Sequence, residues 1–392
     1  MVRDFDVIII GAGIVGLATA CALGQQSLRV AVIDDKIAPA EISAHPAIRA
    51  SAINGSSQHY FEQLGIWQSL LSSQRVLSFE DISVKEANGF ARLSAHSHDY
   101  HFNNLGHIIE NELMVQTLYQ KACTYDNVCF FQQKAQHLYS ANESASVQLA
   151  DESILTAQLM VAADGANSWV RQNQQIKLWQ YHYRHHALIA TVKTAMPHEA
   201  CARQLFYPDG IIAFLPLWQS DMSCLVWSAK PDEAERLMAQ DAQTFNQSLT
   251  AATAGWLGDC QLASEKLLYP LTARYTTEFV KHRLILIGDA AHTIHPLAGQ
   301  GVNLGLRDSA LLAQTIQTLF ATGKDIGLKP AWQSYQRSRN KDVLMMLAAM
   351  QGIESVFDGQ FVIKKWLRGA GMNMIDQVPF IKKHVIKYAL GL

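Results

Sequence analysis

A glycine-rich turn between two apolar segments is the feature that most constrains the fold. Residues 6–35 read DVIIIGAGIVGLATACALGQQSLRVAVIDD, which predicts a buried strand, a tight turn, a helix and a second strand. Gly11, Gly13 and Gly16 have the G-x-G-x-x-G spacing, with Ile14 between the last two. The glycines permit the turn, the approach of a pyrophosphate and close helix–strand packing, and Asp34 ends the second strand, where an acid binds ribose. The unit predicts an ADP-containing dinucleotide but does not separate NAD from FAD.

Composition argues against several other classes of protein. Residues 5–24 are nearly uncharged and close to membrane-spanning length, but they lack a basic leading region, and their glycine spacing favours the strand–turn–helix interpretation. The chain is 49 % hydrophobic with a formal net charge of −2, which is typical of a globular protein and gives no basic footprint for nucleic acid. Its six cysteines are scattered, so we expect no disulfide framework and a cytoplasmic location.

Two later stretches each place an aspartate beside a glycine at the end of an apolar run. They are LMVAADGANSWVR at residues 159–171, with Asp164, and LILIGDAAHTIHP at residues 284–296, with Gly288 and Asp289. Such an aspartate can accept hydrogen bonds from a ribose or ribityl hydroxyl while neighbouring N–H groups face the ligand. Either stretch alone could be an ordinary turn. All three motifs in this order favour FAD.

The series GAGIVG, ADGANSWVR and GDAAHTIHPLAGQGVNLG resembles the single-component flavin hydroxylases related to p-hydroxybenzoate hydroxylase. Within that group, HPLAGQGVNLGLRD resembles the signature of the ubiquinone-biosynthesis hydroxylases, and residues 49–67 and 105–118 also look like that family. The likeness covers essentially the whole chain. It is strongest to hydroxylases acting at ring carbon 5 of a 2-polyprenylphenol, although sister enzymes acting at other ring carbons share every motif.

The resemblance implies a resident FAD, O₂ and NAD(P)H as co-substrates, and a polyprenylphenol substrate; it leaves NADH versus NADPH open. It also implies that Asp34 binds the adenosine ribose, Arg49 the pyrophosphate and Asp289 the ribityl or pyrophosphate side, with residues 299–303 along the isoalloxazine. Asp164 belongs to a motif linked to both FAD and the nicotinamide donor. The full set of expected cofactor contacts is Gly11, Gly13, Ile14, Gly16, Asp34, Arg49, Asn111, Asp164, Gly288, Asp289, Pro296, Gly299, Gln300, Gly301, Val302 and Asn303.

Flavin chemistry explains why these stretches hold so much bare backbone. The cofactor carries the difficult step, so the protein must bind the ring, place the substrate and exclude water. Glycines, among them Gly305, would let the backbone approach the ring, and a helix beginning near Val302 would aim its N–H groups at the flavin. The predicted catalytic residues are Pro296, which orients the chain, and His295, which either assists phenol deprotonation or makes a structural hydrogen bond. His292 is expected to be structural.

The predicted fold is α/β: a Rossmann-like FAD-binding domain of the p-hydroxybenzoate hydroxylase type, an inserted antiparallel β-sheet substrate domain and a C-terminal helical segment. The FAD domain is expected to be discontinuous, over residues 1–75, 102–180 and 270–330, with the substrate domain at 76–101 and 181–269 and the helical region at 331–392. In the substrate domain, several residues could either wall the pocket or pack in the core, namely Phe206, Phe214, Pro216, Leu217 and Trp227.

The last 32 residues are basic, with apolar residues at helical spacing. This segment could meet the surface of the inner membrane or another ubiquinone-biosynthesis protein, or it could simply close the fold. Histidine-rich stretches at 96–101 and 181–186 lack partners for a metal, so we expect none. Two further alternatives are a hydroxylase of a small aromatic acid, which would need arginines such as Arg184 or Arg203, and a catalytically silent flavin-binding scaffold.

Overall fold

The computed structural model of the chain describes residues 3–39, 41–87, 92–207, 209–293 and 301–357. The strands in these ranges are β1 Val7–Ile10, β2 Val30–Asp34, β3 Ala50–Ile53, β4 Leu77–Phe79, β5 Asp81–Glu86, β6 Arg92–His96, β7 Gly106–Glu110, β8 Val128–Gln132, β9 Ala135–Ser140, β10 Ala145–Leu149, β11 Ile154–Ala157, β12 Leu159–Ala162, β13 Trp179–Thr194, β14 Cys201–Tyr207, β15 Gly210–Pro216, β16 Met222–Ala229, β17 Cys260–Leu262, β18 Leu267–Tyr275, β19 Val280–Lys281, β20 Leu284–Leu286 and β21 His292–Thr293. The helices are α1 Ile14–Gln25, α2 Gly55–Gln63, α3 Trp67–Ser72, α4 Asn111–Ala122, α5 Trp169–Asn173, α6 Pro231–Ala239, α7 Ala242–Ala252, α8 Gly301–Ala321 and α9 Gln333–Phe357.

A six-stranded sheet forms the nucleotide end of the fold, in the order β19-β20-β12-β1-β2-β8. Strands β20, β12, β1, β2 and β8 are parallel, and β19 runs antiparallel to β20 at the edge. All four side chains of β1 are buried, as expected of a parallel strand covered on both faces. The strand–turn–helix–strand unit predicted from residues 6–35 is confirmed. The carboxyl ends of the parallel strands therefore meet at one edge of this sheet.

A nine-stranded sheet contains the four strands predicted between residues 181 and 230, in the order β21-β18-β13-β16-β15-β14-β5-β6, with β17 also on β13. Its pairing is antiparallel except between β14 and β5. Strands β5 and β6 belong to it, as predicted for residues 81–93. Two three-stranded sheets, β3-β7-β4 and β11-β10-β9, complete the described strands. The boundaries of the three predicted regions remain a prediction.

The two faces of the nine-stranded sheet have different neighbours. Phe214 and Trp227 lie on the face that packs against α6 and α7, in one core cluster with Leu237 and Phe245. On the opposite face, Thr191 and Cys224 donate hydrogen bonds to the carbonyls of residues 47 and 48, at 3.0 and 3.3 Å. Because side chains alternate along a strand, Phe214 and Trp227 cannot wall a pocket on the face toward residues 47–49. For these two residues the core-packing alternative is the correct one.

Helix α8 packs against α1 through a close contact between small residues and Val15. A β-carbon at Gly305 would lie 2.6 Å from Cγ2 of Val15, and one at Gly288 would lie 3.3 Å from the same methyl group. Thr19 and Tyr60 add hydrogen bonds of 2.8 Å to the hydroxyl of Ser309 on α8. Packing against Val15 therefore accounts for Gly305, which the sequence suggested would lie against a ring.

In the ranges described, no helix combines the length and the apolar character needed to cross a membrane. Residues 5–24, which approach membrane-spanning length in the sequence, form β1, the glycine turn and most of α1.

Gly305→Ala should destabilise the chain because its β-carbon would overlap a methyl group of a β-branched residue. We expect the free energy of unfolding of the FAD-free protein to fall by about 1–3 kcal/mol, the usual cost of overpacking. Denaturant unfolding measures this, with Gly301→Ala as the matched control because its β-carbon would meet nothing within 4 Å. Adding Val15→Ala should recover part of the loss. An equal effect of the two glycine variants would contradict the packing.

Candidate functional site

The three sequence motifs meet at the carboxyl edge of the six-stranded sheet. Gly11 follows β1, Asp164 follows β12 and Gly288 follows β20, and these strands are parallel neighbours. Backbone hydrogen bonds extend the ladder into the turns, from the Ala163 amide to the Ile10 carbonyl at 2.7 Å and from the Ile287 amide to the Ala162 carbonyl at 3.0 Å. In open α/β sheets this edge is the usual place for ligands.

The glycine turn is packed against the second motif with no space for side chains. Gly11 has φ +112°, and a β-carbon there would lie 2.3 Å from the Ala163 carbonyl oxygen. A β-carbon at Gly16 would lie 2.0 Å from the Gly11 carbonyl oxygen. Gly13 differs, because it is exposed and a β-carbon there would meet no protein atom within 4 Å. Gly11 and Gly16 are thus explained by packing, whereas Gly13 leaves open space at the N-terminus of α1.

Asp34 stabilises the glycine turn directly. Its carboxylate accepts hydrogen bonds from the amide of Ala12 at 2.7 Å and from the amide of Lys36 at 3.0 Å. The side chain is only half-buried, so it still reaches solvent where a ribose would lie. The sequence assigned Asp34 to the ribose alone, and the bond to Ala12 adds a role that depends on the fold.

Asp164 carries an unsatisfied buried oxygen. Oδ2 accepts a hydrogen bond from the amide of Val170 at 3.0 Å, whereas Oδ1 is buried and has no partner within the described ranges. Burial raises the pKa of this carboxyl. A buried acceptor without a partner is costly in an isolated protein, and a ligand hydroxyl or N–H would satisfy it.

Arg171 joins the second motif to the third. It is buried, and its guanidinium donates to the carbonyl of Ala290 at 2.7 Å and to the carbonyl of Ala166 at 2.9 Å. The two aspartate-containing turns are therefore held together by one side chain. No role for Arg171 is predicted from the sequence, although it is the only basic residue of residues 159–171 and was therefore a usable signal.

Asp289 lies in a recess that is open to solvent. Its side chain is exposed, yet the surrounding protein raises the pKa of its carboxyl by desolvation, against the opposing effect of His292, Arg49 and Arg274. We infer from these two observations that Asp289 lines a recess. The guanidinium of Arg49 lies 5.8 Å from the centroid of the Tyr269 ring. The charge of Arg49 also lowers the pKa of Asp289, as expected if the two residues share a site.

Asp308 is a buried carboxylate beneath the Gly288–Asp289 turn. It accepts hydrogen bonds from the Gly288 amide at 2.7 Å, from Nε2 of His292 at 2.6 Å and from Nε of Arg339 at 2.5 Å. Desolvation alone would raise its pKa, but His292 and Arg339 outweigh it and hold the pKa below its usual value. His292 therefore makes a structural hydrogen bond, as predicted. Asp308 and Arg339 were not foreseen.

Two asparagines expected to touch the cofactor make hydrogen bonds at β3. Asn303 accepts from the amide of Asn54 at 3.1 Å and donates to the carbonyl of Ala52 at 2.7 Å, which fastens α8 to β3. Asn111 accepts from the hydroxyl of Ser51 at 2.7 Å. Their contacts with the cofactor remain predictions.

Several predicted residues lie outside the described ranges, namely His295, Pro296, Gly299 and Gln300. The chain resumes with α8 at Gly301, where a β-carbon would meet nothing within 4 Å, and Val302 is half-buried. Over the described residues, no group of three or more His, Cys, Asp or Glu side chains could hold a metal ion.

Comparison with known proteins supports a flavin site. The family description "FAD binding domain" matches residues 4–345. Ubiquinone hydroxylase UbiL of Rhodospirillum rubrum is 30 % identical over 388 residues, which cover 98 % of this chain and 89 % of the relative. The chain belongs to the FAD-dependent ubiquinone-biosynthesis hydroxylase family. A second relative in this family, the 3-demethoxyubiquinol 3-hydroxylase of Escherichia coli, is 29 % identical over 99 % of this chain and 98 % of its own length.

Solved structures with the same fold include monooxygenases. The p-nitrophenol 4-monooxygenase PnpA from Pseudomonas putida superposes with a TM-score of 0.80 at 17 % identity, over 98 % of this chain and 97 % of its own. PqsL from Pseudomonas aeruginosa, a probable FAD-dependent monooxygenase, has a TM-score of 0.77 at 22 % identity, over 94 % and 99 %. At these identities the likeness shows the fold, which is the p-hydroxybenzoate hydroxylase type.

The hydroxylase is therefore an FAD-dependent monooxygenase, and enzymes of this class use O₂ and NAD(P)H. The described residues fit the cofactor, because Gly13 leaves space at a helix N-terminus, Asp164 offers an unpaired acceptor and Asp289 lines an open recess beside Arg49. FAD supplies the redox and oxygen-transfer chemistry. The chain's own residues orient the turns through Asp34, Arg171 and Asp308, and they provide backbone donors.

Gly13→Ala should separate cofactor binding from packing. Gly13 has φ −76° and an unobstructed β-carbon position, but it is the N-cap of α1, where alanine is less favourable than glycine, so the FAD-free protein should lose at most about 1 kcal/mol of unfolding free energy. If the pyrophosphate lies against Gly13, the added methyl should raise the Kd for FAD by about tenfold or more, or about 1.4 kcal/mol. Titration of flavin fluorescence measures this. An unchanged Kd for FAD would indicate that the pyrophosphate does not lie against Gly13.

Proposed function

We propose that this hydroxylase adds an oxygen atom at carbon 5 of the ring of a 2-polyprenylphenol. The observation that carries the proposed prenylated substrate is a row of five uncharged positions, four of them apolar, across one face of the nine-stranded sheet; we call it the apolar row. This face is the one whose Thr191 and Cys224 contact residues 47 and 48, immediately before Arg49. Because the charge of Arg49 acts on Asp289, we place this end of the row toward the expected flavin.

Strand register places the row at right angles to the strands. Ile189 pairs with Val226, Val226 with Ala213, Ala213 with Gln204, and Gln204 with Val84. The first four are half-buried and Val84 is buried, so the row reaches solvent without being a surface patch. Neighbouring strands lie about 4.8 Å apart, so these five positions span about 19 Å. That length suits several isoprene units of a prenyl tail.

The two arginines considered for the rival substrate, a small aromatic acid, are not members of this row. Arg203 pairs in register with Phe214, so it points to the face covered by α6 and α7. Its guanidinium donates to the carbonyls of His198 at 2.5 Å and Cys201 at 3.2 Å. Arg184 is exposed at the irregularity in β13. Neither arginine therefore supports carboxylate recognition beside the row.

The position of hydroxylation rests on the resemblance to enzymes acting at carbon 5. A second candidate is hydroxylation at another ring carbon, which is favoured by the 29 % identity to a relative named as a 3-hydroxylase. The roles proposed for His295 and Pro296, and for the basic segment 361–392 at a membrane or partner, concern residues outside the described ranges and remain predictions.

Loss of this enzyme from its host should cause a prenylated precursor without the carbon 5 hydroxyl to accumulate. The purified enzyme should convert a 2-polyprenylphenol with NAD(P)H and O₂, and NMR of the product identifies the carbon that gained oxygen. A hydroxyl at a different carbon would favour the second candidate, hydroxylation at another ring carbon, over hydroxylation at carbon 5. Bound yellow cofactor without substrate-stimulated NAD(P)H oxidation would instead favour a silent scaffold.

Val226→Asp should discriminate against long prenyl tails. A carboxylate in the middle of the row would have to be desolvated against the tail, so kcat/KM for a long-tailed phenol should fall by about tenfold or more. A phenol with a very short tail should change little. Ile154→Asp is the matched control, because Ile154 is 56 % exposed on a separate sheet. An equal loss of kcat/KM for the long-tailed and short-tailed phenols would indicate that the tail does not bind along the row.

A further inference from the structure

We propose that Asp308 is the positioning residue of the Gly288–Asp289 turn, and that helix α9 acts on this turn through Arg339. The inference concerns cofactor binding, so it does not depend on which ring carbon is hydroxylated. Asp308 is fully buried on α8, and no atom of it needs to touch the cofactor. Its effect is transmitted through the backbone that carries Asp289.

One carboxylate oxygen holds both ends of the turn. Oδ2 of Asp308 accepts from the amide of Gly288 at 2.7 Å and from Nε2 of His292, at the start of β21, at 2.6 Å. Gly288 has φ +57°, a left-handed conformation that the hydrogen bond to its amide helps to maintain. Asp289 lies between these two attachment points. Its direction therefore depends on Asp308.

The other carboxylate oxygen connects the turn to α9. Oδ1 accepts from Nε of Arg339 at 2.5 Å, and Nη1 of the same fully buried arginine donates to Asp342 at 2.7 Å. Helix α9 is also attached to the nine-stranded sheet by a 2.9 Å hydrogen bond from Tyr275 to Asn340. Removing one partner of a buried ion pair leaves an uncompensated charge. A substitution at Arg339 should therefore change the conformation of the Gly288–Asp289 turn as well as the stability of α9.

Asp308→Asn tests the positioning role. The amide keeps the shape of the side chain, but its NH₂ group must face either the donors of the turn or Arg339. We expect the Kd for FAD to rise by about tenfold or more, or about 1.4 kcal/mol. FAD is titrated into the FAD-free protein by flavin fluorescence, with thermal unfolding measured in parallel. Activity of the loaded enzyme is not needed.

Asp325→Asn is the matched control for general destabilisation. Asp325 also pairs with a buried arginine, Arg283, at 2.7 Å, and that arginine otherwise bonds carbonyls of residues 141, 142 and 158. This pair makes no contact with the Gly288–Asp289 turn through these hydrogen bonds. Asp325→Asn should lower the unfolding temperature while changing the Kd for FAD by less than about twofold. An equal rise in Kd for the two variants would overturn the proposal.

Arg339→Lys tests the link to α9, and it decides the question if Asp308→Asn does not fold. Lysine keeps the charge but loses the Nε hydrogen bond, so a rise of about threefold to tenfold in the Kd for FAD is expected. In the double variant the two effects should be less than additive, since they act through one pair. A Kd for FAD within twofold of the native value in Arg339→Lys would overturn the role of α9. The same result in Asp308→Asn would overturn the positioning role.

Discussion

The site depends on one close contact. The backbone of Gly11 packs against the peptide bond between Ala163 and Asp164. At Gly11 a β-carbon would lie 2.3 Å from the Ala163 carbonyl oxygen and 2.8 Å from the Asp164 amide. Parallel strands β1 and β12 can end this close together only if one of the two turns has no side chain there. The same closeness brings the N-terminus of α1 beside Asp164. One steric condition thus places the glycine turn beside Asp164, whose buried Oδ1 has no partner among the described residues.

Around this contact, buried polar side chains fix the orientation of the turns. Hydrogen-bonding groups at the exposed edge of the sheet remain available to a ligand. Arg171 uses two donors on backbone carbonyls, and Asp308 uses both oxygens on groups of the protein. Buried charges are tolerated because each is hydrogen-bonded to a partner of fixed position. Asp164 keeps one buried carboxylate oxygen without a partner among the described residues, and Asp289 is exposed, so both can accept hydrogen bonds from a ligand.

The sequence allowed prediction of the features that follow from local pattern. Strand ends marked by Gly11, Asp34, Asp164 and Gly288 were predictable because an apolar run followed by glycine and aspartate is a local signal. Arg339 and Asp308 are 31 positions apart, and nothing local says that they pair. Gly305 shows a related limit, because packing against Val15 also requires a glycine there and its contact with the ring remains a prediction. A glycine in a helix is ambiguous between ligand contact and packing until the opposing residue, Val15, is known.

Strand register decides which residues of the nine-stranded sheet can meet a substrate. Arg203, Phe214 and Trp227 were all candidates from composition, and alternation turns each of them toward α6 and α7. Their immediate neighbours on the same strands, Gln204, Ala213 and Val226, belong to the uncharged row on the other face. A register shift of one residue would exchange these sets and present an arginine where the row now has an uncharged amide. The preference proposed here for a prenyl tail over a carboxylate therefore depends on pairing geometry, because the amino-acid content of these strands would allow either.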